Sequence, residues 1–95
     1  MNNITKGTHG GVDIFVYKDL PAMQVYGVMD AFTKLAETHH FKTILEIGTD
    51  YGGLTNALAE NAIAKSAVIH TFDINTTRFK NYHPDVIAFH NVAVS

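Results

Sequence analysis

A chain of 95 residues, 46% of them apolar, makes one small domain or a piece of one. A charged fraction of 17% and a net charge of −2 exclude a chain disordered by composition, and they give no electrostatic basis for holding nucleic acid or an anionic membrane. There is no cysteine, so disulfide frameworks and thiolate metal sites are excluded, which is compatible with the cytoplasm, the expected compartment.

Met1 to Gly11 is polar and reads as a flexible leader, without the apolar segment of a signal peptide. Val12 to Tyr17 (VDIFVY) predicts a short edge strand or an extended segment lying on the body. Pro21 suits the first position of a helix, and the spacing predicts one over Pro21 to Thr38. Its buried face would carry Val25, Val28, Met29, Phe32, Leu35 and Ala36, with Asp30, Lys34 and Glu37 turned away. His39 and His40 follow as a solvated helix end.

Thr43 to Ile47 (TILEI) predicts a parallel strand covered on both faces, apolar except for Glu46. Gly48 opens a turn that runs through Gly52 and Gly53 into a helix over Leu54 to Ala64, with Ala57, Leu58, Ala62 and Ile63 on it. Ala67 to Ile74 is a second apolar strand ending in Asp73. Asn75 to Asn81 has room for one helical turn, His83-Pro84-Asp85 is a breaker, and Val86 to Val94 is a third strand. This alternation predicts an α/β fold: a half-size, three-layer Rossmann-like parallel sheet of about three strands with flanking helices, over residues 12–95. No uncharged stretch reaches the roughly 18 residues of a membrane helix.

The chemistry concentrates at the strand ends. Asp73 stands 25 residues after Gly48 and 21 after Gly52, where a carboxylate can accept hydrogen bonds from ribose hydroxyls. Glu46, inside an apolar strand, needs a partner: the turn itself or a cationic ligand. Asp50 occupies the place of the middle glycine of a dinucleotide fingerprint. A negative residue there disfavours a pyrophosphate and tolerates a sulfonium and an amino acid. The six histidines have no zinc-motif spacing; His70 is expected to be part-buried and satisfied, and His90, near the carboxyl end of the third strand, is within reach of the crevice but is not expected to touch a ligand. No nucleophile elbow, P-loop lysine or catalytic dyad is present.

LEIGTDYGGLT followed by IHTFDI resembles the first two motifs of class I S-adenosylmethionine-dependent methyltransferases, and is most similar to the cephalosporin hydroxylase-like and O-methyltransferase branch. The resemblance covers Phe41 to Asp73 well and Pro21 to Ser95 loosely. It implies S-adenosylmethionine as cofactor, with Glu46, Gly48, Thr49, Asp50, Tyr51, Gly52 and Gly53 around its methionine part. It also implies that Asp73 holds the ribose and Ile74 touches the adenine, and that the residues from Tyr17 to Asp19 fold over the cofactor. Where many members carry an acid after the third strand, this chain has Asn91, Ala93 and Ser95. The resemblance implies an amino-terminal half, with the acceptor-binding strands beyond Ser95. A free sheet edge then predicts a homo-oligomer, formed by joining sheets or by exchanging elements. The expected function is methyl transfer to an unidentified acceptor; the alternative is a non-catalytic, self-associating module.

Overall fold

The computed structural model describes residues 3–63 and 66–93, without the side chains at 33, 36, 37 and 61–63. Met1, Ala64, Val94 and Ser95, which bound several expected elements, lie outside the described residues, as do the side chains of Ala36, Glu37, Ala62 and Ile63.

The amino-terminal quarter is an antiparallel meander of β1 (Ile4–His9), β2 (Val12–Tyr17) and β3 (Leu20–Val25). Two-residue loops join the strands: Gly10-Gly11, both at positive φ, and Lys18-Asp19, with Lys18 at φ 53°. Such loops match the twist of a hairpin. The expected leader is therefore, from Ile4 onward, the strand β1, and VDIFVY is the central strand rather than an edge. Helix α1 spans Val28–Thr38 only. The helical spacing reaches back to Val25, but Leu20 to Val25 finds ladder partners on β2 and the chain turns at Tyr26-Gly27.

Next come β4 (Thr43–Ile47), α2 (Gly53–Ile63), β5 (Val68–Phe72) and β6 (Ile87–His90). The three strands form a parallel sheet in the order β4-β5-β6. No helix forms over Asn75 to Asn81; the Asn75 side chain instead accepts from the Thr77 backbone N–H at 2.9 Å, an Asx turn.

Helix α2 lies between the two sheets. Ala57 joins Phe15, Tyr17, Ala22 and Met29 in one apolar cluster, while Ala59 joins Ala67, Ile69 and Ile87 in another. The expected three-layer Rossmann-like sandwich is thus not the architecture. There are two three-stranded sheets, one antiparallel and one parallel, and the parallel sheet has helix on one face only. On its other face Leu45 is 68% and Ile47 71% exposed, so β4 is not the doubly covered strand its composition predicts.

A polar clamp fastens the meander to the rest. Tyr17 is fully buried; its hydroxyl donates to Glu60 on α2 at 2.7 Å and lies 2.7 Å from His83 Nε2. The hydroxyl has one proton, so His83 donates from Nε2. Asn3 also donates to Glu60. Burial first, then the Glu60 carboxylate, push the Tyr17 hydroxyl well above the usual tyrosine range. Tyr17→Phe removes both bonds without changing the ring, and should cost about 1–3 kcal/mol of stability. Urea unfolding reads it as a lower midpoint at unchanged slope; an unchanged midpoint would show that the clamp contributes nothing.

Candidate functional site

The residues at the carboxyl end of β4 are set by strand alternation. Ile44 and Glu46 face α2, while Thr43, Leu45 and Ile47 face away. Glu46 is thereby turned inward and half-buried, where two buried threonines donate to it and a third supports one of them. Thr55, on the first turn of α2, donates its hydroxyl to the carboxylate, and Thr71 on β5 donates at 2.7 Å. Thr49 in turn donates to Thr71 at 2.6 Å, since the Thr71 proton is already engaged. Burial raises the Glu46 carboxyl above its ordinary value, the threonine hydroxyls oppose that shift, and the nearby Asp73 charge adds to it.

Asp73 follows β5 and works on the surface. One carboxylate oxygen accepts from the Asp50 backbone N–H at 2.8 Å, the other from Asn75 N–H at 2.9 Å. These bonds, Asn75 first, hold its carboxyl below the usual range. They use two of a carboxylate's roughly four acceptor positions. Asn91 braces the same corner, donating to the carbonyls of Asp73 at 3.1 Å and Ile74 at 2.9 Å. Ile74 itself is 71% exposed.

The turn between β4 and α2 holds Gly48 at φ 89° with open space around it. Asp50 is also at positive φ, and its carboxylate lies 3.3 Å from Arg78, whose guanidinium stands 5.5 Å over the Tyr51 ring. The negative charge in the turn is therefore opposed by a cation. Gly52 packs under Phe79. Gly53 is the point of closest approach to the meander: a Cβ there would lie 2.7 Å from the carbonyl oxygens of Leu20 and Pro21.

A cleft of about 90 Å³ results, with Glu46, Gly48, Thr49, Asp50, Gly53 and Leu54 on one wall and Pro21 to Gln24 on the other. The second wall is irregular. The β2–β3 register shifts between Ile14 and Val16, and Met23 sits at φ 30°, a conformation that non-glycine residues rarely adopt. Of the nine expected site residues, Glu46, Gly48, Thr49, Asp50 and Gly53 come together around this cleft, and Asp73 holds its turn. Tyr51, Gly52 and Ile74 face Arg78, Phe79 and solvent respectively.

Thr55, Thr71, Arg78 and the β3 wall were not foreseeable as site residues from spacing alone. Only the polarity of Thr71 within an apolar strand, opposite Glu46 in the β4–β5 register, hinted at one of them. His70 and His90 lie on the open sheet face, with Nδ1 and Nε2 2.9 Å apart. His90 therefore does not line the cleft, and His39 and His40 are exposed as expected.

Compared with models of protein families, with curated proteins and with solved structures, the chain matches none. No helix among the described residues is long and apolar enough to cross a membrane.

Glu46→Gln keeps an acceptor for both threonines and removes the half-buried charge. The folded state binds the Glu46 proton more tightly than the unfolded state does, so its ionisation costs stability as pH rises from the unfolded carboxyl value near 4. The variant should melt at a higher temperature than wild type at neutral pH, and the gap should close near pH 4. A variant equal to or weaker than wild type at pH 7 would show that the charge is stabilising.

Proposed function

We propose that this chain binds S-adenosylmethionine at the carboxyl ends of β4 and β5, as part of a methyltransferase-like unit. The observation that carries the reading is the pair of half-buried carboxylates there: Glu46 turned inward at the cleft and Asp73 beside the same turn. A carboxylate turned inward suits the cationic methionine end of the cofactor, and a second one with acceptor positions to spare suits ribose hydroxyls. The space over Gly48, which lines the same cleft, is open. Sites for ligands of this size usually span about 300–1,000 Å³. The cleft is smaller, so the cofactor would enter only with Pro21 to Gln24 drawn back. That role for the segment just after Tyr17 to Asp19 is consistent with a leader folding over the ligand. Methyl transfer needs the sulfonium held in line with an acceptor more than it needs a covalent residue, and the acceptor would come from outside the cleft described here.

A second reading is a self-associating module without catalysis. It is favoured by the exposure of Leu45 and Ile47 and by the small size of the cleft. Self-association, by joined sheets or exchanged elements, is also compatible with the first reading.

Calorimetric titration of S-adenosylmethionine and S-adenosylhomocysteine into the chain separates the two. The first reading expects saturable binding, weakened at least tenfold by Asp73→Ala. It also expects affinity to rise with pH as Glu46 ionises, for the sulfonium ligand more than for the neutral thioether. Absence of binding by the folded wild-type chain would overturn the reading in favour of the second.

A further inference from the structure

Four strands form the sheet edges, and they are not alike. β1 carries Lys6 and Gly7, β3 carries Pro21 and an irregular register, and β6 is only four residues long. Lysine, proline, irregularity and shortness are the usual means of keeping an edge strand from pairing with another chain. β4 has none of them. Its five residues, TILEI, contain no glycine, proline or lysine, and its one charge, Glu46, is turned inward onto Thr55 and Thr71. Among the described residues β4 pairs only with β5.

The ladder also fixes which backbone groups are free. Gly48 N–H donates to Phe72 and Val68 N–H donates to the Lys42 carbonyl, so the even-numbered residues of β4 point toward β5. The N–H and C=O groups of Thr43, Leu45 and Ile47 therefore point outward.

We propose that this edge pairs with the β4 edge of a second copy, antiparallel, about a two-fold axis at Leu45. This rests on the self-association half of the proposal above and not on its ligand half. Residues directly opposite in an antiparallel pair share a face. The helix-covered faces of the two copies therefore coincide only if a residue, rather than a gap between residues, lies on the axis. With Leu45 on the axis all five residues of each strand are paired: Leu45 with Leu45, Thr43 with Ile47, Ile44 with Glu46. No like charges face each other. Centring on Glu46 would set two carboxylates opposite, and centring on Ile44 leaves Ile47 beyond the partner's strand. Thr43, Leu45 and Ile47 supply both backbone groups to the joint, and the two Leu45 side chains meet on the face where each is 68% exposed. The result is one six-stranded sheet with α2 of each copy on the same side, and such mixed sheets are common.

The chain has no cysteine, so single cysteines report the register directly. Equilibrium sedimentation of the wild type should give twice the 10.5 kDa chain mass. Leu45→Lys, which places two cations on the axis without touching the cleft, should give the single-chain mass with an unchanged circular dichroism spectrum. Mild oxidation should link Leu45→Cys into a covalent pair. Val68→Cys, on the same face but one strand further in on each side, should stay unlinked, because the two copies of it are about 14 Å apart across the strands and about 13 Å apart along them. A monomeric wild type overturns the proposal. So does a Leu45→Lys variant that remains dimeric, or equal linking of Val68→Cys, which would mean face-to-face packing instead. Cofactor titration of Leu45→Lys keeps the two questions apart, since loss of the dimer leaves the Glu46 side of the sheet intact.

Discussion

Helix α2 has apolar contacts on opposite sides, and the rest of the molecule is arranged around that fact. Between two sheets a helix must be narrow. The residues at its start and centre are small or compact: Gly53, Thr55, Asn56, Ala57 and Ala59 are all buried. The absence of a Cβ at Gly53 lets the β3 backbone come within van der Waals distance of the helix start. Asn56 then ties the helix to the β5–β6 connection, donating to the Lys80 carbonyl and accepting from Tyr82 N–H at 2.8 and 2.9 Å. A larger residue at any of these positions would push one sheet away, because interiors packed this closely have no slack.

The same constraint explains why a carboxylate survives inside. Glu46 faces α2 because strand alternation leaves it no other direction once Leu45 and Ile47 face out. Its cost is offset by hydroxyls rather than by a cation: Thr55 from the helix, Thr71 from the neighbouring strand, and Thr49 supporting Thr71. Hydroxyls satisfy the acceptor without neutralising it. The cleft therefore keeps negative character, whereas the exposed Asp50 is answered by Arg78 and the exposed Asp19 by Tyr82 and Lys80. A half-buried carboxylate without a counter-ion, at the mouth of a crevice, is a feature that stability alone does not require.

Much of the parallel half was legible. TILEI, the helix after the glycines and VIHTF each carry a pattern that one local rule decides, and their elements fall within a residue or two of expectation. The meander was not legible by the same rule. ITKGTH has one apolar residue, Ile4, so its strand is written in ladder bonds to β2 rather than in its own composition. Val25, Val28, Met29 and Phe32 do follow helical spacing, and only Gly27 and the pairing of Leu20 to Val25 divide them between a strand and a helix. The clearest missed sign was Gly10-Gly11 between two stretches of equal length, a hairpin signal in its own right. At the site, Glu46 and Asp73 could be found by position. Thr55 and Thr71 could not, because a threonine beside apolar residues looks the same whether its hydroxyl serves a carboxylate or its own backbone.

The two sides of β4 can be regarded as a division of labour imposed by five residues. Odd positions expose Thr43, Leu45 and Ile47 with their free backbone groups; even positions point at α2 and carry the one charge. Because the faces alternate strictly, a slip of one residue in the β4–β5 register would put Glu46 on the open face and Leu45 under the helix. The hydroxyls of Thr55 and Thr71 hold against that slip, since they reach the carboxylate only in the observed register, where Glu46 stands opposite Thr71. The polar network that shapes the cleft is thus also what keeps the odd residues outward. A fault in the threonine chain would disturb the edge as well as the site, although no side chain on the edge touches the cleft.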